Sequence, residues 1–200
     1  MPAILLQGMG LGFSASAMPG PFQSFMVSES LLKGAKKTWL LAFVPLISDI
    51  PIVVITMLAL NQTAAWFLSS LRVVGGVFII YLAYSAFKES KQAAQTTEVK
   101  PINILKALSI NFTNPNVWIY WTTIGASLVI TNWHNNKALA VLFFVSFYAA
   151  MALSNLLLIF VFAKAAKNHG RLRNLLLIAS ILILLGFGLY NLFIGLTRFV

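Results

Sequence analysis

Met18-Pro19-Gly20-Pro21 stands in the middle of the first long apolar stretch of this 200-residue chain. Two prolines and a glycine interrupt the i→i−4 hydrogen-bond ladder and leave backbone groups without helical partners. In hydrocarbon such groups are costly, so broken backbone survives only where protein or a polar cavity satisfies it. A second interruption, Asn114-Pro115-Asn116, lies near the middle of the fourth apolar stretch. Paired breaks at corresponding places in two halves point to a transporter's binding site. Two kinks that only aid helix packing are the alternative.

The surrounding composition supplies the context for these breaks. Hydrophobic residues make up 60% of the chain and charged residues 9%, and the mean hydropathy is +0.88. A soluble domain carries about 25% charged residues. The chain therefore reads as an integral membrane protein without a separate soluble domain. Its apolar runs have the roughly 20 residues that a helix needs to cross a bilayer core, and they lack the alternation of barrel strands. The first run has no basic leader or small-residue cleavage site and reads as a retained span.

Six spans are expected, at about 3–28, 38–60, 64–87, 102–130, 137–163 and 172–197. The connections between them are charged unequally. The first, third and fifth hold eleven of the fourteen Lys and Arg residues, among them Lys33, Lys36, Lys37, Lys88, Lys106, Lys164, Arg171 and Arg173. The positive-inside rule puts these connections in the cytoplasm and both termini outside. The net charge of +10 is thus an orientation signal facing anionic headgroups, not a sign of nucleic-acid binding.

An internal repeat follows from the spans. Spans 1 and 4 carry a mid-helix proline, and spans 2 and 5 carry Ser48-Asp49 and Ser154-Asn155. Spans 3 and 6 carry Gly75-Gly76 before Tyr81, and Gly186 and Gly188 before Tyr190. Three spans per repeat is an odd number, so the second half must insert inverted. The expected fold is all-α, with six transmembrane helices as two inverted three-helix repeats, about 1–90 and about 102–200, forming a single transporter domain.

Asp49 is the one acid within an expected span, about eleven residues in and near the midplane at 1.5 Å rise per residue. A charge there costs several kcal/mol unless it is paired, hydrated or neutralised. A carboxyl that exchanges a proton as its access alternates is a simple coupling device; a partner for a neighbouring helix's donors is the structural alternative. Arg72, about eight residues into span 3, can snorkel outward or face the bundle and hold a carboxylate. Span 4 is unusually polar. Asn111, Asn114, Trp118 and Thr122 share one helical face, and Asn116, Tyr120 and Thr123 a neighbouring one. Ser14, Ser16, Gln23 and Ser24 bracket the first break, so spans 1 and 4 are expected to line a polar cavity. Gly8, Gly10 and Gly12 form a small-residue stripe read as packing.

Cysteine is absent, which removes disulfides, thiol redox chemistry and thiolate metal sites. His134 and His169 fall in expected loops on opposite sides of the membrane. No cofactor and no metal site is expected. An intramembrane hydrolase would need paired aspartates, a Ser–His couple or a metal cluster. A scaffold or a channel without coupled transport remains the rival to a secondary transporter.

Gly12-Phe13, Met18-Pro19-Gly20-Pro21, Lys33-Gly34 and Asp49 resemble the opening signature of the LysE/RhtB superfamily of amino-acid exporters. The run from Arg72 through Gly75-Gly76 to Tyr84 is similar to that family's third-span pattern, and Phe112-Thr113-Asn114-Pro115-Asn116 to its F-x-N-P-K/N element. The resemblance covers nearly the whole chain. It implies proton-driven export of amino acids or related small polar solutes across the cytoplasmic (inner) membrane of a bacterium. A homodimer is compatible with it. Its implied working positions are Pro19, Gly20, Pro21, Asp49, Arg72, Asn114 and Pro115; Gln23, Asn111 and Asn116 join them from the residue reading. Asn116 stands where a lysine is common, which removes a cation and puts an acidic substrate in doubt.

Overall fold

Helix starts and stops follow the placement of proline, glycine and asparagine. The computed structural model describes residues 1–18, 20–58, 65–93, 102–168 and 170–197. Pro19, the second connection (61–63), most of the third, His169 and Arg198 lie outside the described residues. All the described elements are helical. In chain order they are α1 (Pro2–Ala17), α2 (Pro21–Lys33), α3 (Ala35–Thr38) and a 3-10 turn (Trp39–Phe43) leading into α4 (Val44–Leu58). Then come α5 (Ala65–Ala93), α6 (Ile104–Phe112), α7 (Pro115–Tyr120), a π-helical turn (Trp121–Gly125) and α8 (Ala126–Asn135). Two long helices, α9 (Lys137–Asn168) and α10 (Gly170–Thr197), complete the chain.

The prolines explain several of these boundaries. Pro21 and Pro115 are the first residues of α2 and α7, where the missing N–H is not needed and the fixed φ suits a helix. Pro45 cannot donate to the Leu41 carbonyl. The Val44 N–H takes that carbonyl instead, which tightens the turn before α4 into 3-10 form. Gly34, at φ 76°, joins α2 to α3 in a conformation that favours glycine.

Among the described residues three stretches, Ala35–Leu58, Lys137–Ala166 and Gly170–Thr197, are long and apolar enough to cross a membrane, against the six spans expected. The chain is a multi-pass membrane protein. Its outer faces are apolar, with Leu6, Phe13, Ile50, Leu153, Leu175 and Phe193 exposed. Polar side chains such as Ser16, Asp49, Asn111, Asn155 and Asn191 are buried instead. That inverted distribution suits a lipid surround, in which backbone and side-chain polar groups must be satisfied internally.

Small residues let the helices approach closely. A β-carbon at Gly12 would overlap the Phe147 carbonyl, and one at Gly8 would meet Ser146, so α1 lies against α9. Gly8 meets Ser146 and Phe143, Gly12 meets Phe147 and Ser16 meets Asn155, so the two helices run parallel. Gly10 faces open space, which reduces the expected stripe to Gly8, Gly12 and Ser16 at four-residue steps. Gly76 packs on Gly188 and Leu192, and Gly195 packs on Val73, which sets α5 antiparallel to α10.

Candidate functional site

Each helix break has its freed carbonyl taken by a nearby side chain. At the first, Gln23 Nε2 donates to the Ala15 carbonyl at 3.4 Å, and the Met18 N–H still reaches the Ser14 carbonyl at 3.0 Å. At the second, Trp118 Nε1 donates to the Phe112 carbonyl at 2.7 Å. Asn114 there accepts from the Asn116 N–H at 3.1 Å and so caps α7. These contacts give broken backbone partners inside the protein.

A cavity of about 280 Å³ lies between the two breaks. Ser14, Met18, Gly20 and Gln23 line it from the first; Asn111, Asn114, Asn116 and Tyr120 line it from the second. Asp49 enters from α4, Trp121 from the π turn, and Phe147 and Met151 from α9. A volume near the lower end of the roughly 300–1,000 Å³ of drug-sized sites suits a small solute.

Asp49 is 3% exposed. Its carboxylate accepts from Asn111 Nδ2 at 2.6 Å on Oδ1, and from Tyr148 Oη at 3.2 Å and Trp121 Nε1 at 3.4 Å on Oδ2. Asn111 Nδ2 also reaches Ser48 Oγ at 2.7 Å, and Ser48 donates on to the Val44 carbonyl. The described lining contains no lysine, arginine or histidine. The Tyr120 hydroxyl is buried and has no hydrogen-bond partner among the described residues. Tyr120, Trp121, Phe143, Phe144, Phe147 and Tyr148 form a stacked and edge-to-face aromatic wall, with centroid spacings from 5.0 to 6.5 Å. Gly125 leaves room for this wall, since a β-carbon there would strike the Trp121 ring.

Of the residues singled out in the sequence, Gly20, Gln23, Asp49, Asn111, Asn114 and Asn116 line the cavity. Pro21 and Pro115 are buried at helix starts behind it. Pro19 lies outside the described residues. Arg72 is half-buried on α5, with its Cβ beside Gly195 of α10, and is not among the lining residues. Thr122 and Thr123 turn back onto the carbonyls of Trp118 and Ile119. The sequence reading did not single out Trp121 or Tyr148, nor the Glu29–Lys33 ion pair (2.6 Å) in α2. Among the described residues no three His, Cys, Asp or Glu side chains gather where they could hold a metal ion.

Apolar outer faces, helices broken at two points and a largely apolar cavity with a few polar groups between the breaks suit a solute-handling membrane protein. The LysE type translocator family model matches residues 13–194, and the chain belongs to that family. It is accordingly a membrane transporter of small solutes. No curated protein and no solved structure matches the chain significantly.

Proposed function

We propose that the protein is a secondary transporter with six spans arranged as two inverted repeats. It exports amino acids or related small polar solutes from the cytoplasm in exchange for protons. The solute binds between the two breaks, and Asp49 carries the coupling proton. The working set includes Gly20, Gln23, Asp49, Asn111, Asn114 and Asn116, with Pro19, Pro21 and Pro115 shaping the breaks. Arg72 takes part from α5 by supporting that helix's packing on α10. The protein resides in the cytoplasmic membrane of a bacterium with both termini outside.

One observation carries this reading. Asp49 of span 2 bonds to Asn111 of span 4, three residues before the Asn114 break. Asn155 of span 5 bonds to Ser16 of span 1, two residues before Met18, at 2.7 Å. Each half thus sends a buried polar residue from its second span to the edge of the other half's break. Such reciprocity supports a pseudo-two-fold axis. The parallel α1–α9 pair and the antiparallel α5–α10 pair are the directions that six alternating spans require.

The test is flux of labelled amino acids from loaded proteoliposomes, with and without an imposed pH gradient. Gradient-stimulated, saturable release supports the reading. Release that neither saturates nor responds to the gradient favours a channel, and no release favours a scaffold.

A further inference from the structure

The Asp49 carboxylate is buried against the cavity with three neutral donors, and no cation balances it in the described lining. A buried charge is strongly unfavourable unless it is paired or neutralised. A carboxylate has about four acceptor directions. Here Oδ2 carries both aromatic donors and Oδ1 only Asn111, so Oδ1 keeps an acceptor direction. The Tyr120 side chain lines the same cavity, and its buried hydroxyl has no partner among the described residues. The rest of the wall is largely apolar, from Leu11, Pro45, Val117, Ile124, Phe147 and Met151. A carboxylate brought in by a solute would meet amides and a phenol, but also the negative charge of Asp49 in its ionised form.

Resting on the transport reading above, we propose that the cavity selects its solute by a cationic amino group seated on Asp49, so that an amine without any carboxylate is a full ligand. The ammonium supplies the cation that the lining lacks, and the Tyr120 hydroxyl accepts a second of its N–H bonds. The carbon skeleton lies against the apolar wall, and the solute's carboxylate, where present, is tolerated but not required. Amine and proton then compete for one carboxyl, and that exclusivity makes the exchange obligatory. Among the described residues, the other titratable groups facing Asp49 are Tyr148 from α9 and Tyr120 from α7. Both are phenols with an ordinary pKa of about 10, so the carboxyl is the group that titrates on acidification.

Three solutes with one skeleton separate the possibilities: 3-methylbutylamine, leucine and 4-methylpentanoate, which carry the amine alone, both groups and the acid alone. Binding to the detergent-solubilised protein is read by calorimetry and by Trp fluorescence. The amine should bind at least as tightly as leucine, the acid should not bind, and acidification should weaken the amine. Asp49→Asn should weaken the amine about thirtyfold or more, the low end for removing one partner of a buried charge pair. Should that variant fold poorly, the three-solute comparison on the unaltered protein still decides. Binding of the acid, binding of leucine without the amine, or silence from all three would overturn the proposal. Proteoliposome flux of leucine would survive the first two of those outcomes if the transport reading is right, and flux of some other amino acid would survive the third. Amine binding without any flux would instead sink the transport reading and leave the amine site standing.

Discussion

Asp49 is held by donors from three separate elements: Asn111 on α6, Trp121 in the π turn and Tyr148 on α9. Removing the shortest of these bonds should be felt both in stability and in transport. Asn111→Leu strips the amide from Asp49 and Ser48 together, and leaving a buried acceptor unsatisfied costs about 1–3 kcal/mol. The variant should show a lower thermal midpoint in detergent and lose most of its flux; an unchanged midpoint would mean that the contact is incidental. Asp49 and Asn111 were legible in the sequence because a carboxyl or amide inside an apolar run needs a reason to be there. Trp121 and Tyr148 were not, since an aromatic in a span usually packs or marks the interface, and its polar end is silent until a partner is in view. Arg72 shows the converse limit. A midspan cation invites either pairing with a carboxylate or snorkelling, and depth along a helix does not fix the azimuth; only its Cβ, beside Gly195 of α10, places it on the α5–α10 face.

At the scale of elements, two broken helices survive because each break carries its own repair. The Phe112 carbonyl, freed before Asn114, is taken by the Trp118 indole. Trp118→Phe keeps an aromatic ring, though a smaller one, and removes the donor, so it should destabilise the protein by at least about 1–3 kcal/mol. Its signature would be faster proteolysis or hydrogen exchange confined to residues 109–118; protection equal to that of the unaltered protein would contradict the role. Gly12→Val tests the other device, close approach. Its side chain would strike the Phe147 backbone, which cannot turn aside, and overpacking of this kind costs about 1–3 kcal/mol. The break positions could be read from Pro21 and Pro115, because a proline fixes where a new helix can begin. The π turn at Trp121–Gly125 could not. It accompanies the seating of the Trp121 ring, which lies over Gly125 within the turn and stacks on Phe144 and Tyr148 of α9, contacts seen only in the folded chain.

At the scale of the whole molecule, the all-helical, membrane-spanning character was readable from hydropathy and charge, while the contacts of α4 with α6 and of α1 with α9 emerge only in three dimensions. The Asp49–Asn111 and Ser16–Asn155 bonds join residues 62 and 139 positions apart, a relation that no local pattern encodes. The proposed topology makes a direct prediction, since the chain has no cysteine to confuse labelling. Single cysteines at the exposed positions Lys36, Asn103 and Arg171 should be shielded from impermeant thiol reagents in intact cells, and those at Asn135 and Thr197 labelled. The reverse pattern would invert the orientation, and labelling of Asn103 and Asn135 from one side would remove a span and the inverted repeat with it. The central claim, that solute leaves in exchange for a proton carried on Asp49, is tested most directly by proton movement itself. In proteoliposomes holding a pH-sensitive dye, a solute gradient imposed across the membrane should drive protons in the opposite direction through the unaltered protein and not through Asp49→Asn. Equal solute-driven proton movement by the two proteins would contradict it.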